Sequence, residues 1–525
     1  MPAANENQGR VYPLVMAPGI RRDGTLLDGA DWTAGLWTRF DDGRPESIGG
    51  YRRLNDQLSG PISQLHIDQR NGLTTIHSGH PGGIEQIYID SAGGVGAINS
   101  RAAGSLSATG AYRWQFCAAY DATSTQAMLI AHAAPNANID NTTTRNVYFG
   151  SLTATTALAT SSATGSFPAI SGGVCAAHPF VFYYSHDGFV TWGGANAPQN
   201  LSTATDGTGG GGSSGARVAY TKIVRGYPLR GGAGNSPAAL FWSLNTVIRS
   251  AFTGGQTVFR FDTVADDTSI LSSNAVVPYD GMFFWPGIDR FLMYNGTVRE
   301  VPNKHNRYWF FRNLNFDQRQ KVFGFKVPAK GEIWWCFPYG DNTDCSHAVI
   351  LNVRDNTWYD TELPSDFRTA GAFVPQYQYP LLTGGTANSS SKYSLWQHED
   401  GADRIEGGDT IAIRKFIESG VVTFQTSGPI PGGWSGLPVN TRIHAVEPDM
   451  EQTGNMTLTV IGRKYARASE SESEYTFASS TQKISVQGGA EQHRQMRLRF
   501  ESNMAGGSFR FGQNLLHLTE GAGRP

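Results

Sequence analysis

The chain has 525 residues, a formal net charge of −2, 16% charged residues, 11% aromatics and 63 glycines. Its length accommodates roughly two to four domains. Few charges with many glycines and aromatics fit short strands joined by turns and argue against helical bundles. The near-neutral balance carries no basic excess of the kind that grips nucleic acid by neutralising phosphates. The four cysteines, Cys117, Cys175, Cys336 and Cys345, contain no CxxC pair, so no zinc site is read from spacing. Cys336 and Cys345 flank one hairpin loop and are close enough in sequence to face each other. With no mark of secretion, free buried thiols are the expectation. Residues 1–8 have neither a basic nor an apolar leader segment, and no run of ~18 apolar residues predicts a membrane span.

In chain order, residues 1–55 are turn-rich and predict an N-terminal arm with a β-hairpin. Asp42-Gly43 is a tight-turn signal after Leu36–Phe40. Over 56–404 a loose repeat follows, in which an apolar run, a turn, a second apolar run and a polar connection recur. Its paired runs are Leu73–His77 with Ile84–Ile89, Ala127–Ala131 with Asn146–Ser151, and Phe180–Tyr184 with Phe189–Trp192. Met282–Trp285 with Arg290–Tyr294, Glu332–Phe337 with His347–Val353, and Pro380–Thr383 with Tyr393–Gln397 continue it. Propeller blades run about 40–50 residues, so this stretch predicts a β-propeller of about six to eight blades. A sandwich array or a β-helix shares the composition.

Within the repeat, Ser185-His186-Asp187-Gly188-Phe189-Val190-Thr191-Trp192 nearly matches the Asp box of sialidase-like propellers, with its glycine one place early. In that family the box is a structural turn, so it speaks for a blade rather than for chemistry. Asp206–Gly215 reads as a flexible Gly/Ser loop. Beyond it Arg217, Lys222, Arg225 and Arg230 form the most basic neighbourhood of mid-chain. They line a channel facing DNA, or belong to an ordinary solvated loop or subunit contact.

The aromatic-rich window His305–Asp360 reads as successive antiparallel strands: Tyr308–Phe311, Asn315–Val322, Glu332–Phe337, Ala348–Val353 and Asn356–Trp358. Its tryptophans, Trp309, Trp334, Trp335 and Trp358, exceed what one small sheet buries. They therefore pack between blades or form an oligomer contact.

After Gly401 the character changes. Residues 405–525 predict a β-sandwich, with strands at Val421–Gln425, Thr441–Val446, Met456–Val460 and Gln482–Val486. In Arg494–Glu501, Met496, Leu498 and Phe500 fall on one face and Arg497 and Arg499 on the other. Ala468–Glu474 reads as a solvated loop or edge. The fold class is thus all-β: the propeller plus a smaller β-sandwich built from the C-terminal region with the N-terminal hairpin.

Catalytic patterns are weak. Gly211–Gly215 satisfies G-x-S-x-G but lacks the strand-turn-helix setting a nucleophile elbow needs. Ser185, His186 and Asp187 are sequence neighbours, and neighbours on a strand point to opposite faces, which prevents a triad. The twelve histidines are scattered, and no phosphate-binding glycine loop is present. Paired carboxylates for glycoside hydrolysis assemble from distant loops and stay open. No enzyme activity, cofactor or metal is expected.

Three groups of residues resemble the tail nozzle proteins of short-tailed bacteriophages, the tail tubular protein B or packaged-DNA stabilisation group. The first is Gly19-Ile20 with Trp37-Thr38-Arg39-Phe40-Asp41-Asp42-Gly43 and Ile48-Gly49-Gly50-Tyr51. The second is Tyr308-Trp309-Phe310, Asn315, Gln318, Lys321-Val322, Glu332-Ile333-Trp334-Trp335, Pro338, Asn352 and Asn356-Thr357-Trp358. The third is Trp396, His398-Glu399, Gly401, Pro448-Asp449, the Arg497–Glu501 strand and Phe509–Gly512. The likeness covers most of the chain and is weakest over 55–270.

The resemblance implies a structural virion protein in the distal tail, assembled in the host cytoplasm. It implies a homo-hexamer docked on a portal-adaptor (head-to-tail connector) ring, with tail fibre, tailspike or needle partners and transient contact with double-stranded DNA. A near-neutral wall suits sliding DNA better than a basic one. On this reading Arg217, Lys222, Arg225 and Arg230 are candidate DNA-facing residues, and Arg494, Arg497, Arg499 and Arg510 candidate docking residues. The rival reading is a carbohydrate-active, sialidase-like propeller, or a glycan-binding one.

Overall fold

Asp42 and Gly43 both take positive φ, 53° and 71°, and reverse the chain between Thr38–Asp41 and Arg44–Ser47. Asp-Gly is the pair that tolerates this mirror-type turn, whose twist matches the flanking strands. The computed structural model describes residues 10–27, 30–101, 112–135, 138–161, 168–201, 215–229, 236–254, 258–422, 424–425, 438–465, 467–486 and 492–520. It is almost entirely β, in several four- to six-stranded sheets, and loosely propeller-like.

Six consecutive four-stranded antiparallel sheets are laid out strand by strand in sequence order. They begin with Gln64–Arg70, Tyr112–Asp121, Gly173–Ala177, Ile223–Pro228, Val277–Tyr279 and Phe323–Val327. A seventh sheet starts at Ala370–Val374 and continues through Tyr377–Thr383 and Tyr393–His398. It then takes Tyr51–Leu58, from the other end of the chain, as its next strand. An expected boundary at residue 55 therefore falls inside a strand.

Opening strands of most neighbouring sheets pack on one another. Gln64–Arg70 touches both Tyr112–Asp121 and Ala370–Val374, so the seventh sheet meets the first. Between sheets the fill is aromatic. Phe182 and Phe259 have ring centroids 4.8 Å apart, and Trp242 meets Phe283 at 5.4 Å and Trp285 at 5.5 Å. Such edge-to-face rings supply most of the buried apolar area per residue. All six hairpins read from sequence are present as paired strands.

The remaining strands bring the two ends of the chain together. A six-stranded sheet runs Ala17–Ile20, Asp31–Leu36, Lys415–Ser419, Gln495–Ser502, Met456–Arg463, Ser471–Phe477. Arg10–Pro13 pairs with Leu515–Glu520, and Arg44–Ser47 pairs with Ser508–Phe511. Met496, Leu498 and Phe500 are fully buried, whereas Arg497 and Arg499 between them keep partial exposure, as alternation on a one-sided strand requires.

Two expectations change. Tyr308–Phe311 and Asn315–Val322 are not strands: Arg307–Asn313 is helix α1, and Phe316–Lys321 is a 3-10 turn. The Asp23 carboxylate accepts the backbone N–H groups of Tyr308 (2.9 Å) and Trp309 (2.8 Å), satisfying the first donors of α1 from a remote segment. Phe310 is buried while Tyr308 remains exposed, a split that suits one helical turn. The four cysteines are free thiols: Cys336 pairs across its ladder with Ala348, and Cys345 donates its S–H to the Lys321 carbonyl at 3.3 Å.

Candidate functional site

The densest polar constellation is built on Arg39, which is 1% exposed. Its Nε and Nη2 donate to Glu332 at 2.8 and 3.0 Å, and its Nη1 and Nη2 to Glu399 at 2.7 and 2.5 Å. Tyr359 Oη (2.5 Å) and Trp334 Nε1 (2.8 Å) donate to the same Glu332 carboxylate. Burial raises the Glu332 carboxyl, with Arg39 and these two donors pulling it back down. Burial also works against the Arg39 charge, but the two carboxylates more than offset it and raise Arg39 well above its ordinary value. Three distant segments are thus held by one planar fork.

Further contacts extend the same joint. Arg22 bonds Asp360 at 2.8 Å, and the Trp37 N–H donates to Thr361 Oγ1 at 2.8 Å. Lys330 spans Asp41 (3.0 Å) and Glu46 (2.5 Å). Phe40 packs on Tyr359, with centroids 5.5 Å apart. Glycine is required at two points. A Cβ on Gly50 would lie 2.3 Å from the Asp403 carbonyl, and one on Gly19 (φ 106°) 2.7 Å from the Trp358 carbonyl. The leading hairpin, the 305–360 window and the segment around Glu399 thus meet here. Beside them opens a cavity of about 540 Å³, charged on all sides by residues such as Glu399, Glu451, Lys330 and Arg510.

The expected DNA-facing residues are scattered. Arg217 is exposed and donates to the Asp187 carbonyl at 3.2 Å. Lys222 is 6% exposed, donates to the Asn141 carbonyl at 2.7 Å and is pulled down to about 8 by burial. Arg225 is 5% exposed, lies 4.5 Å over the Tyr227 ring and donates to its hydroxyl at 2.9 Å. With the Gln64 amide turned to satisfy both its contacts, its oxygen accepts from Arg225 Nη2 at 3.2 Å. Arg230 lies outside the described residues. Lys222 and Arg225 are consequently corrected from surface to interior. They sit at the opening strand of the fourth sheet, which packs on the opening strand of the third.

The expected docking arginines are largely committed within the chain. Arg497 pairs with Glu418 and Glu470, and Arg499 pairs with Glu418 at 2.9 Å, directly across the ladder. Arg510 lies 3.8 Å from Glu46 and stays partly exposed, and Arg494 is half-buried.

Sequence reasoning passed over a third place. A cavity of about 90 Å³ is lined by Arg113, Arg368, Lys321, Asp344, Cys345 and Thr369, among others. Arg368 is wholly buried. Its Nη1 bonds Asp366 at 2.6 Å, its Nε–H donates to His398 Nε2 at 3.1 Å, and it lies over the rings of Tyr51 and Trp396. Its Nη2 is buried with no hydrogen-bond partner among the described residues. Burial lowers Arg113 to about 10. These cations are single residues in unrelated segments, so no motif marks them.

The catalytic patterns stay unassembled. Ser185–Gly188 is the turn between Phe180–Tyr184 and Phe189–Trp192, where Gly188 has φ 78°. Its His186 Nδ1 meets Ser171 Oγ at 2.8 Å. The Gly211–Gly215 pattern lies, except for Gly215, outside the described residues. Among the described residues no group of three or more His, Cys, Asp or Glu is placed to hold a metal.

No family model matches the chain, and no curated protein matches it. Among solved structures it is similar to the WD40 β-propeller domain of Doa1, at 10% identity and a TM-score of 0.36, over 66% of this chain and 97% of that one. It is also similar to a chain of a mitotic checkpoint complex, at 11% identity and a TM-score of 0.38, over 71% and 96%.

Proposed function

We propose that this chain is a structural subunit of a bacteriophage tail nozzle, forming with other copies a ring that retains packaged DNA and releases it on ejection. On this reading the seven consecutive sheets are seven propeller blades, the last closed by Tyr51–Leu58. The described residues within 10–47 and 415–520 form a sandwich-like platform.

The observation that supports it is the convergence on Arg39. The three stretches resembling the nozzle family lie far apart in sequence and meet at one joint between blades and platform. A subunit holding back compressed DNA must transmit force without hinging. Breaking a buried ion pair costs about 3–5 kcal/mol, so the joint resists rotation. Arg225, Tyr227 and Gln64 occupy the space where the opening strands converge. DNA then passes through the lumen enclosed by six chains, not along the axis of one propeller. Heterologous contacts close such a ring when the rotation per subunit fits six.

Native mass spectrometry of the purified chain, followed by cryo-EM of the assembly, tests this. A hexamer that binds a portal-adaptor ring is the expected result. A monomer at every concentration, or placement in the capsid shell, overturns it. A monomer that cleaves or binds a glycan favours the carbohydrate reading instead.

A further inference from the structure

Helix α1 and the 3-10 turn after it leave two large aromatic side chains in water: Tyr308 is 68% exposed and Phe316 49%. Arg307 lies over the Tyr308 ring at 4.8 Å, and Arg319 over the Phe316 ring at 4.3 Å. Both rings are thus steadied by guanidinium groups rather than by a core. Arg312, also exposed, follows Tyr308 by one helical turn. Beside this face α1 and the loop Arg22–Gly24 frame an open concavity of about 510 Å³.

The face is basic. Residues 299–319 hold five cations and two carboxylates, in a chain whose net charge is −2. Glu300, one of the two, is engaged by Arg307 at 3.3 Å, and the nearby Asp23 is committed to the backbone of α1. The other, Asp317, is exposed. Lys304 and Arg312 are exposed and make no ion pair among the described residues. Exposed aromatics interleaved with arginines are the composition of a protein interface.

A complementary surface exists on the same chain, but out of reach. The six-stranded sheet packs its first two strands, Ala17–Ile20 and Asp31–Leu36, on Thr357–Glu362, and the loop after Ala17–Ile20 is the one that bonds α1. Its opposite edge is Ser471–Phe477, five strand spacings or about 24 Å away. There Glu472, Glu474 and Thr476 alternate outward and are exposed. Neither carboxylate makes an ion pair among the described residues, whereas Glu470 before them is held by Arg463 and Arg497. Charge on an open edge also discourages indiscriminate strand pairing. What singles out this edge is its place: the basic face and the acidic edge lie at opposite ends of one sheet, so they meet between two chains and not within one.

We propose that the basic, aromatic face of α1 docks the acidic edge strand Ser471–Phe477 of a second copy of this chain, with Glu472 and Glu474 set against Arg312 and Lys304. The proposal rests on the ring reading and supplies its contact. Each chain offers one surface to the copy before it and a different surface to the copy after it, the heterologous arrangement that a ring repeats.

Charge exchange tests it. One variant carries Lys304→Glu with Arg312→Glu, the other Glu472→Lys with Glu474→Lys, all at exposed positions. Sedimentation velocity and native mass spectrometry follow the parent, each variant and their equimolar mixture. The parent should assemble, with its half-assembly concentration raised at least tenfold by 1 M sodium chloride. Each variant alone presents like charges on both surfaces and should stay monomeric. Their mixture should regain an assembly of the parent's size in which the two variants alternate, which also shows that both are folded. If the parent assembles and the single variants assemble equally well, this contact is overturned and the ring reading stands. Variants that stay monomeric on mixing overturn the contact too. A parent that forms open chains, abolished in both variants, supports the contact and overturns the ring. A parent that is monomeric at every concentration overturns both.

Discussion

Arg368 donates its Nε–H to His398 Nε2 across 3.1 Å, which fixes His398 as a neutral ring carrying its proton on Nδ1. Burial pushes His398 well below its ordinary range, and the adjacent guanidinium pushes it further. His132 is in the same position. Its ring meets the Ile170 carbonyl at 3.0 Å, its other nitrogen is buried without a partner, and burial lowers it to about 4. Both are neutral when folded and protonate freely when unfolded. Below about pH 6.5 the unfolded chain therefore binds more protons. The stabilisation is complete above that pH and is lost as pH falls toward 4, at about 1.4 kcal/mol per pH unit for each ring. Urea midpoints should drop steeply between pH 7 and pH 5. A flat profile would show that these rings are not neutral in the native state.

The joint makes a separate demand. Arg39→Met leaves Glu332 and Glu399 facing each other in the interior and should cost about 3–5 kcal/mol. Adding Glu332→Gln removes one of the stranded charges and should recover part of that loss. Thermal unfolding of both single variants and the double variant measures the coupling. Simple additivity would deny that the two residues share one site.

Steric fit is tested by two glycines in the same region. Gly50→Ala drives a methyl into the Asp403 backbone and should cost about 1–3 kcal/mol through strain. Gly401→Ala meets no atom within 4 Å and carries only the penalty of φ 68°, about 1 kcal/mol. Melting temperatures should rank the two in that order, and the reverse order would mean that the contact at Gly50 relaxes cheaply.

Lys222 gives a test of the same sign in a more alkaline window. Burial lowers it to about 8, so between pH 8 and its ordinary 10.5 the folded chain holds fewer protons than the unfolded one, and stability rises with pH across that window. Lys222→Met should abolish this rise and stabilise the chain at pH 7 by about 1–3 kcal/mol, less the bond lost to Asn141. A variant no more stable than the parent at pH 7, with the alkaline rise intact, would show that Lys222 is not the buried amine that produces it.

What was legible in the sequence was pairing between neighbours. Each of the six hairpins rests on two apolar runs and a turn, all within one short window. The opening strands were harder, because they carry residues such as Gln64, Gln115 and Arg225 that look solvent-facing. Their partners lie in other sheets: Gln115 bonds the carbonyls of Gly172 and Val224, and Tyr184 donates to its oxygen. Nothing local marks a glutamine as belonging to such an interior network. Tyr308–Phe311 misled for a related reason. Aromatic runs favour strands on average, but here Asp23, 285 residues away from Tyr308, supplies the acceptor that starts a helix. The Arg39 constellation was visible only as an arginine in a hairpin, since both its carboxylates come from beyond residue 330.

The seventh sheet imposes a timetable on biosynthesis. Tyr51–Leu58 emerges from the ribosome early, yet its partner Tyr393–His398 is made some three hundred and forty residues later. Arg10–Pro13 waits longer still, for Leu515–Glu520. At translation rates of about 5–20 residues per second, these leading strands stay unpaired for many seconds with their edges open. Vectorial folding from the N-terminus is therefore closed to this chain. The middle sheets form first, and the leading segment is a latch that engages only when synthesis is nearly done. The nascent chain thus acquires the Arg39 joint late, after its own meanders are in place.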